Sequence, residues 1–386
     1  KNEKNAKLVL FSDSRQAAAK LSAGIEMDHY KDMVRSFLLS KIENNSIIFD
    51  LLLKFLEDRI SLEEKRKIRE YKKGNTQISD LYDKIEAYFD EEQPNVFDEL
   101  VNEINRNKKQ GIAIDELVSK TAYEILQTGT NPGGPKESLS KDMYEDRWNN
   151  QADFEAKYFK QYPDQNLYNK TVLSLKNEVI IGLLAGNRRS FEALNIGYIN
   201  PTLNGNLQYD RAFIINCIKL LGESYRIDSS DNRNPGDSLP LKVWKYARKC
   251  LDFGGYKNPF KENFLEVLNE NNLNRNNKFI LTGNKLNFVL KSEGDKTYKC
   301  RICSNIQIIN YLNICTNCCN TSLELAIEED INRILENNYY LHLIKQDKFK
   351  VRRLHCEELS GQTDPSEGRR RQRLFQGRIM QSENSM

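Results

Sequence analysis

The residues of this chain best suited to chemistry are cysteines. Cys300-Arg301-Ile302-Cys303 and Cys315-Thr316-Asn317-Cys318 form two C-x2-C pairs with eleven residues between them. A two-residue spacing turns both thiolates of a pair toward one point, and two such pairs close a tetrahedron around a zinc ion at about 2.3 Å from each sulfur. Four thiolates fill that coordination shell and leave no position for water. The zinc expected at Cys300, Cys303, Cys315 and Cys318 is therefore structural, not catalytic. Cys319 directly follows Cys318, so either could be the fourth ligand; the knuckle spacing favours Cys318. Five of the eight cysteines lie between residues 300 and 319, while Cys217, Cys250 and Cys356 are scattered singly. Clustering of this kind points to metal more than to disulfides. A zinc hydrolase is disfavoured, because the chain has three histidines and no His/Glu pair at ligand spacing.

The elements around these cysteines can be read from periodicity. A ribbon is expected over 293–325, with the apolar Ile306 to Leu312 as a strand between the knuckles. Before it, 210–292 reads as three helices (Ala212 to Leu221, Leu241 to Leu251, Lys261 to Asn269) and a hairpin. The hairpin would pair Phe279–Thr282 with Leu286–Leu290 around Gly283-Asn284-Lys285. That order suits a winged-helix-like module, a fold that lies on DNA but also occurs in protein-contacting units. Residues 46–209 read as a helical insertion. Ser61-Leu62-Glu63-Glu64 is a capping box, and the basic run Lys65, Arg66, Lys67, Arg69, Lys72, Lys73 reads as a solvated helix face, with phosphate contact as the alternative. Gly129 to Pro135 is a loop by composition. It is no phosphate loop, and G-x-x-x-x-G-K-[ST] occurs nowhere in the chain.

The ends carry a different signal. Leu8 to Phe11 is a continuous apolar run, as in a buried parallel strand; Ser12, Asp13 and Ser14 then offer helix caps before a helix from about Arg15 to Ile42, which Asn44-Asn45 breaks. Near the other end, Lys350 to Leu354 reads as a strand, and Asp364-Pro365 opens a short helix crowded with Arg369, Arg370, Arg371 and Arg373.

The string Leu-Val-Leu-Phe-Ser-Asp-Ser-Arg-Gln-Ala-Ala-Ala from Leu8 resembles motif IV of superfamily 2 helicases, where the second RecA-like domain begins. Its continuation through Gly24-Ile25-Glu26-Met27-Asp28-His29-Tyr30, with Arg353 to Asp364 and Arg371 to Gly377, resembles the large zinc-containing, Druantia-type helicases of bacterial antiphage defence islands. The resemblance implies an α/β fold with an α-rich insertion: a partial RecA-like parallel sheet, interrupted by a helical and winged-helix-like region and a zinc ribbon. On that reading 1–45 opens the second RecA-like domain and 326–386 returns to it, ending before motifs V and VI, so that the chain is a fragment.

The resemblance also implies nucleic-acid backbone contacts at Ser12, Ser14, Arg15, Arg369, Arg371 and Arg373. It departs from the family at the helix after Asp364, where aligning from Phe375 puts Gly368, with Arg369 adjacent, at the family's arginine position. ATP and magnesium would serve only the intact parent, because Walker A, Walker B and the arginine finger are missing here; this chain alone should not hydrolyse ATP. The alternative is a non-catalytic zinc-ribbon module that binds nucleic acid or protein.

Composition narrows the classes further. Hydrophobic residues make up 39% and charged residues 29%, with a net charge of +3, so any electrostatic attraction to DNA must be local. No apolar run approaches the roughly 20 residues of a membrane span. The expectation is a cytoplasmic protein with DNA, and defence-system proteins, as partners and no membrane.

Overall fold

A computed structural model describes residues 15–73, 75–91, 96–128, 130–135, 165–184, 189–205, 207–228, 236–255, 259–283, 285–292, 294–345 and 364–375. Among the described residues the molecule is mixed α/β and mostly helical, with two small antiparallel sheets. The strands expected at Leu8–Phe11 and Lys350–Leu354 both lie outside the described residues, as does the RecA-like parallel sheet they would build.

The spine is α1 (Arg15–Leu56), a single helix of 42 residues and about 63 Å. It runs straight through Asn44-Asn45, where the sequence predicts a break. The reason is tertiary: Asn45 is buried, and its Oδ1 accepts a hydrogen bond from the Tyr71 hydroxyl at 3.2 Å. A side chain satisfied by a neighbouring helix no longer competes for its own backbone.

α1 serves two cores. Ile48, Phe49, Leu52 and Phe55 pack with α2 (Leu62–Lys72), α3 (Thr76–Glu91) and α4 (Val96–Gln110) around Ile68, Ile78, Tyr82, Ile85 and Ile104. The expected capping box opens α2: Ser61 Oγ accepts from Glu64 N at 3.2 Å, and Ser61 N donates to Glu64 Oε2 at 2.9 Å. Three residues of the basic run, Lys65, Arg69 and Lys72, turn toward α3, while Arg66, Lys67 and Lys73 are exposed. Lys72 meets Asp83 at 2.9 Å, Lys65 meets Glu86 at 3.7 Å, and Arg69 donates to the Tyr82 hydroxyl at 2.9 Å.

The larger core gathers Tyr30 to Ile42 of α1, α5 (Ile114–Gln127), α6 (Gln165–Leu184), α7 (Arg211–Glu223), α8 (Leu241–Gly254) and α9 (Phe260–Glu270) around a sheet. That sheet has the order β1 (Ile112–Ala113), β3 (Leu286–Leu290), β2 (Gly197–Pro201). β3 does not form the expected hairpin. Its register runs Gly197↔Leu290 to Pro201↔Leu286 on one side and Ile112↔Phe288 on the other. Four of its five residues are buried, so both of its edges and both of its faces need neighbours; a two-stranded wing would leave them wet. Phe279 to Thr282 forms no strand: Leu281 makes isolated bridges to Ile227 and Asn274, and Phe279 N and Thr282 N donate to Gly236 O and Leu273 O. α7 is buried all round, since Phe213 through Gly222 are all buried.

Gly111 lets α4 turn into β1. Its φ is +81°, and a Cβ there would lie 2.3 Å from the Phe288 carbonyl oxygen across the sheet. Gly111→Ala should therefore cost more than about 1 kcal/mol in urea unfolding, through a strained φ and a displaced strand together.

The ribbon is the second sheet, ordered β5 (Ile306–Gln307), β4 (Tyr298–Cys300), β6 (Leu323–Leu325). The strand expected from Ile306 to Leu312 is thus only its first two residues. α10 (Glu328–Leu335) and α11 (Tyr339–Ile344) follow the ribbon, and α11 packs on α1. α12 (Pro365–Phe375) begins as expected, with Asp364 Oδ1 accepting from Ser366 N at 2.8 Å.

Candidate metal centre

Both knuckles are built from the same six-residue pattern, C-x-x-C-x-N: Cys300 to Asn305 and Cys315 to Asn320. Each is closed by the same two backbone bonds. Cys300 N donates to Asn305 O, and Cys315 N to Asn320 O, both at 2.9 Å. Ser304 N donates to Cys300 O, and Cys319 N to Cys315 O, again at 2.9 Å. The fifth residue of each turn is left-handed, with φ +56° at Ser304 and +57° at Cys319. Cys319 is thereby the counterpart of Ser304. It occupies a turn position and packs against the larger core.

The four remaining thiols converge. The sulfurs of Cys300, Cys303, Cys315 and Cys318 all lie within 4.8 Å of one another. Cys300 to Cys318 and Cys303 to Cys315 are each 3.6 Å. A disulfide would bring two sulfurs to about 2.05 Å, whereas a tetrahedron with metal–sulfur bonds of about 2.3 Å separates them by about 3.8 Å. The observed spacing is that of the tetrahedron, and the four cysteines could hold a metal ion such as zinc.

Local hydrogen bonds favour thiolate at Cys300, whereas burial raises its knuckle partner Cys303. Burial pushes the Cys300 thiol up, but the Ser322 hydroxyl at 3.0 Å and the backbone N–H groups of Cys303 and Ile302 outweigh it and bring it to about 6. Burial dominates at Cys315, whose thiol is pushed well above its usual range. Deprotonation there would have to accompany metal binding.

The ribbon has almost no core of its own: among the described residues, Leu323 is the one buried aliphatic residue packed with Cys300 and Cys315. It leans instead on the helical body. Ile306 and Ile314 belong to the larger core. Beneath them, Glu192 Oε1 accepts from Ile308 N at 2.7 Å, while Glu192 Oε2 meets Lys219 Nζ at 2.5 Å with both side chains under 10% exposed. Gln307 Oε1 accepts from both Thr316 N and Thr316 Oγ1 at 3.1 Å. Burial pushes the Lys219 ammonium down in pKa, yet Glu192 and Glu223 raise it further, so it stays charged. Sequence reasoning missed this pair. Its one visible trace is a lysine inside the apolar run Phe213 to Leu221.

The residues expected to contact nucleic acid are placed in part. Ser12 and Ser14 lie outside the described residues, and Arg15 is the first residue of α1, with its side chain outside them too. On α12, Arg369 and Arg373 stand four apart on one exposed face, while Arg371 is half-buried on another; Arg369 Nε donates back to Pro365 O at 3.1 Å. No helix among the described residues is long and apolar enough to cross a membrane.

Comparison with protein-family models, with curated proteins and with solved structures yields no match.

Proposed function

We propose that the chain is a zinc-braced, nucleic-acid-binding part of an ATP-driven superfamily 2 DNA helicase, of the kind that serves antiphage defence in the cytoplasm. The converging four-cysteine cluster carries this reading. With four protein sulfurs as ligands, zinc has no open position for water or substrate, so its work is to hold the ribbon's shape and its seat on the helical body. The resemblance of the segments around Leu8 to Tyr30 and Arg353 to Gly377 to defence-island helicases supplies the motor to which such a part would belong. In such motors a Walker lysine, a magnesium-binding acid and an arginine finger handle ATP. The sequence carries no Walker A motif, and this chain's share is contact with the strand being moved. Arg369 and Arg373, together on an exposed helix face, suit phosphate oxygens, with Ser12, Ser14, Arg15 and Arg371 as further contacts.

A non-catalytic protein-docking ribbon is the second reading. It is favoured by the exposed apolar side chains of Ile302, Leu325 and Ile327 on and beside the ribbon.

Salt titration of single-stranded DNA binding, followed by fluorescence anisotropy, separates the two. Binding should be independent of sequence and weaken with salt, and Arg369→Ala with Arg373→Ala should flatten the log–log slope by roughly 0.7 per lost contact. An unchanged slope in the double variant would remove α12 from the interface. Absence of any DNA binding by the zinc-loaded protein would leave the protein-docking reading.

A further inference from the structure

The structure holds a second surface whose composition packing does not require. α8 is fixed to the body by one stripe, Val243, Tyr246, Ala247 and Cys250, all buried. One apolar stripe is enough to seat a helix. The opposite stripe nonetheless carries Leu241 at 65% exposure and Trp244 at 42%, with Lys245 and Arg248 exposed beside them. Trp244 forms one wall of an open groove of about 450 Å³ between α8 and α9, lined also by Ser238, Leu239, Leu251, Phe260, Lys261 and the carboxylate-bearing Glu262.

Two features set this groove apart from a stray apolar patch. The first is a ladder of rings. Trp244 lies 6.4 Å from Phe260 and tilted 40° to it, Phe260 stacks on Phe264 at 5.3 Å and 10°, and Phe264 stacks on Phe279 at 6.2 Å and 20°. Phe260, Phe264 and Phe279 are buried, so the tryptophan caps an aromatic column rooted in the core. The second is charge. α8 bears Lys242, Lys245, Arg248 and Lys249 against a single carboxylate, Asp252. Lys242 is bound to Glu223 at 2.5 Å, and Lys249 lies 4.9 Å over the Phe253 ring. Among the described residues no carboxylate forms an ion pair with Lys245 or Arg248, and they stand one and four residues from Trp244.

The geometry points to this face of α8, with its groove against α9, as a binding site for single-stranded nucleic acid. A base extends the aromatic column at Trp244, and the flanking phosphates meet Lys245 and Arg248. Flat rings and neighbouring cations are the pairing by which proteins hold unpaired bases regardless of sequence, since every base offers a π-face and every linkage a negative charge. An acidic peptide would use the cations but gain little from the column. The site shares no residue with α12 and does not depend on the helicase reading.

The chain contains two tryptophans, Trp148 and Trp244, so Trp148→Phe in the zinc-loaded protein leaves Trp244 as sole reporter. Titration with dT and rU oligonucleotides should quench its fluorescence; equal quenching identifies a site blind to the sugar, and a preference tells DNA from RNA. Trp244→Ala, read by anisotropy of labelled oligonucleotide, should weaken binding about tenfold, with Trp244→Phe restoring most of it. Lys245→Ala with Arg248→Ala should lower the salt slope by roughly 0.7 for each side chain. These losses should persist when Arg369 and Arg373 are already alanine, which separates this site from α12. Absence of quenching, binding unchanged in Trp244→Ala, or quenching by a poly-glutamate peptide or anionic phosphatidylserine vesicles but not by oligonucleotide would overturn the site.

Discussion

Protein purified without added metal is expected to contain about one zinc per chain by elemental analysis. Serine at Cys300, Cys303, Cys315 or Cys318 should abolish or sharply reduce that content. Cys319→Ser should keep it, because serine at that turn position is what the first knuckle already has at Ser304, with φ +56° against +57°. The effect on stability should be large. Structural zinc in small domains contributes about 10–16 kcal/mol of apparent binding energy at neutral pH, and the ribbon has little apolar core with which to replace it. Chelation should therefore strip amide-exchange protection from β4, β5 and β6 while the centre of α1 keeps its own. Full zinc retention in the Cys300 and Cys315 variants would refute the site. Loss of zinc in Cys319→Ser with retention in Cys318→Ser would move the fourth ligand by one residue.

The second large effect concerns Lys219 and Glu192. The pair lies at 2.5 Å with both side chains nearly out of solvent, and Glu192 also receives the Ile308 N–H of the ribbon. Removing one member of such a pair strands a buried charge and costs about 3–5 kcal/mol. Lys219→Met and Glu192→Leu should each lower urea stability by that order. The double variant should be far less damaged than their sum, because both charges leave together. Glu192→Leu should additionally loosen the ribbon, since Ile308 N loses its acceptor, and zinc should then exchange faster with a chelator. Strict additivity in the cycle would show that the two side chains do not depend on one another.

What the sequence revealed and what it hid divide along physical lines. The knuckles were legible because metal ligation fixes spacing within six residues, and the capping box at Ser61 and Glu64 because its partners are three apart. Local rules act locally. The register of β3 was not legible, since its partners Ile112 and Gly197 to Pro201 lie far away in the chain and a plausible turn at Gly283-Asn284-Lys285 offered a nearer one. Asn45 misled for the same reason, its hydrogen bond to Tyr71 being tertiary. The ion pair of Lys219 with Glu192 joins a helix to an irregular segment, which no periodicity announces. The ladder beneath Trp244 needs Phe260, Phe264 and Phe279, brought together only by folding.

The continuity of α1 has a consequence for how the molecule opens. The apolar residues between Tyr30 and Ile42 are sealed in the larger core and those between Ile48 and Leu56 in the smaller, yet one unbroken ladder of backbone bonds joins them. If α2 to α4 peel away, the last turns of α1 lose their packing and fray, because a helix end without a buried face is marginal in water. The upstream turns need not follow. Deuterium uptake along this single helix should therefore fall into two plateaus, one reporting the free energy of each core, with the step near Asn45. One rod thus serves as a gauge with two scales, and a ligand that stabilises only one core will shift only its own half.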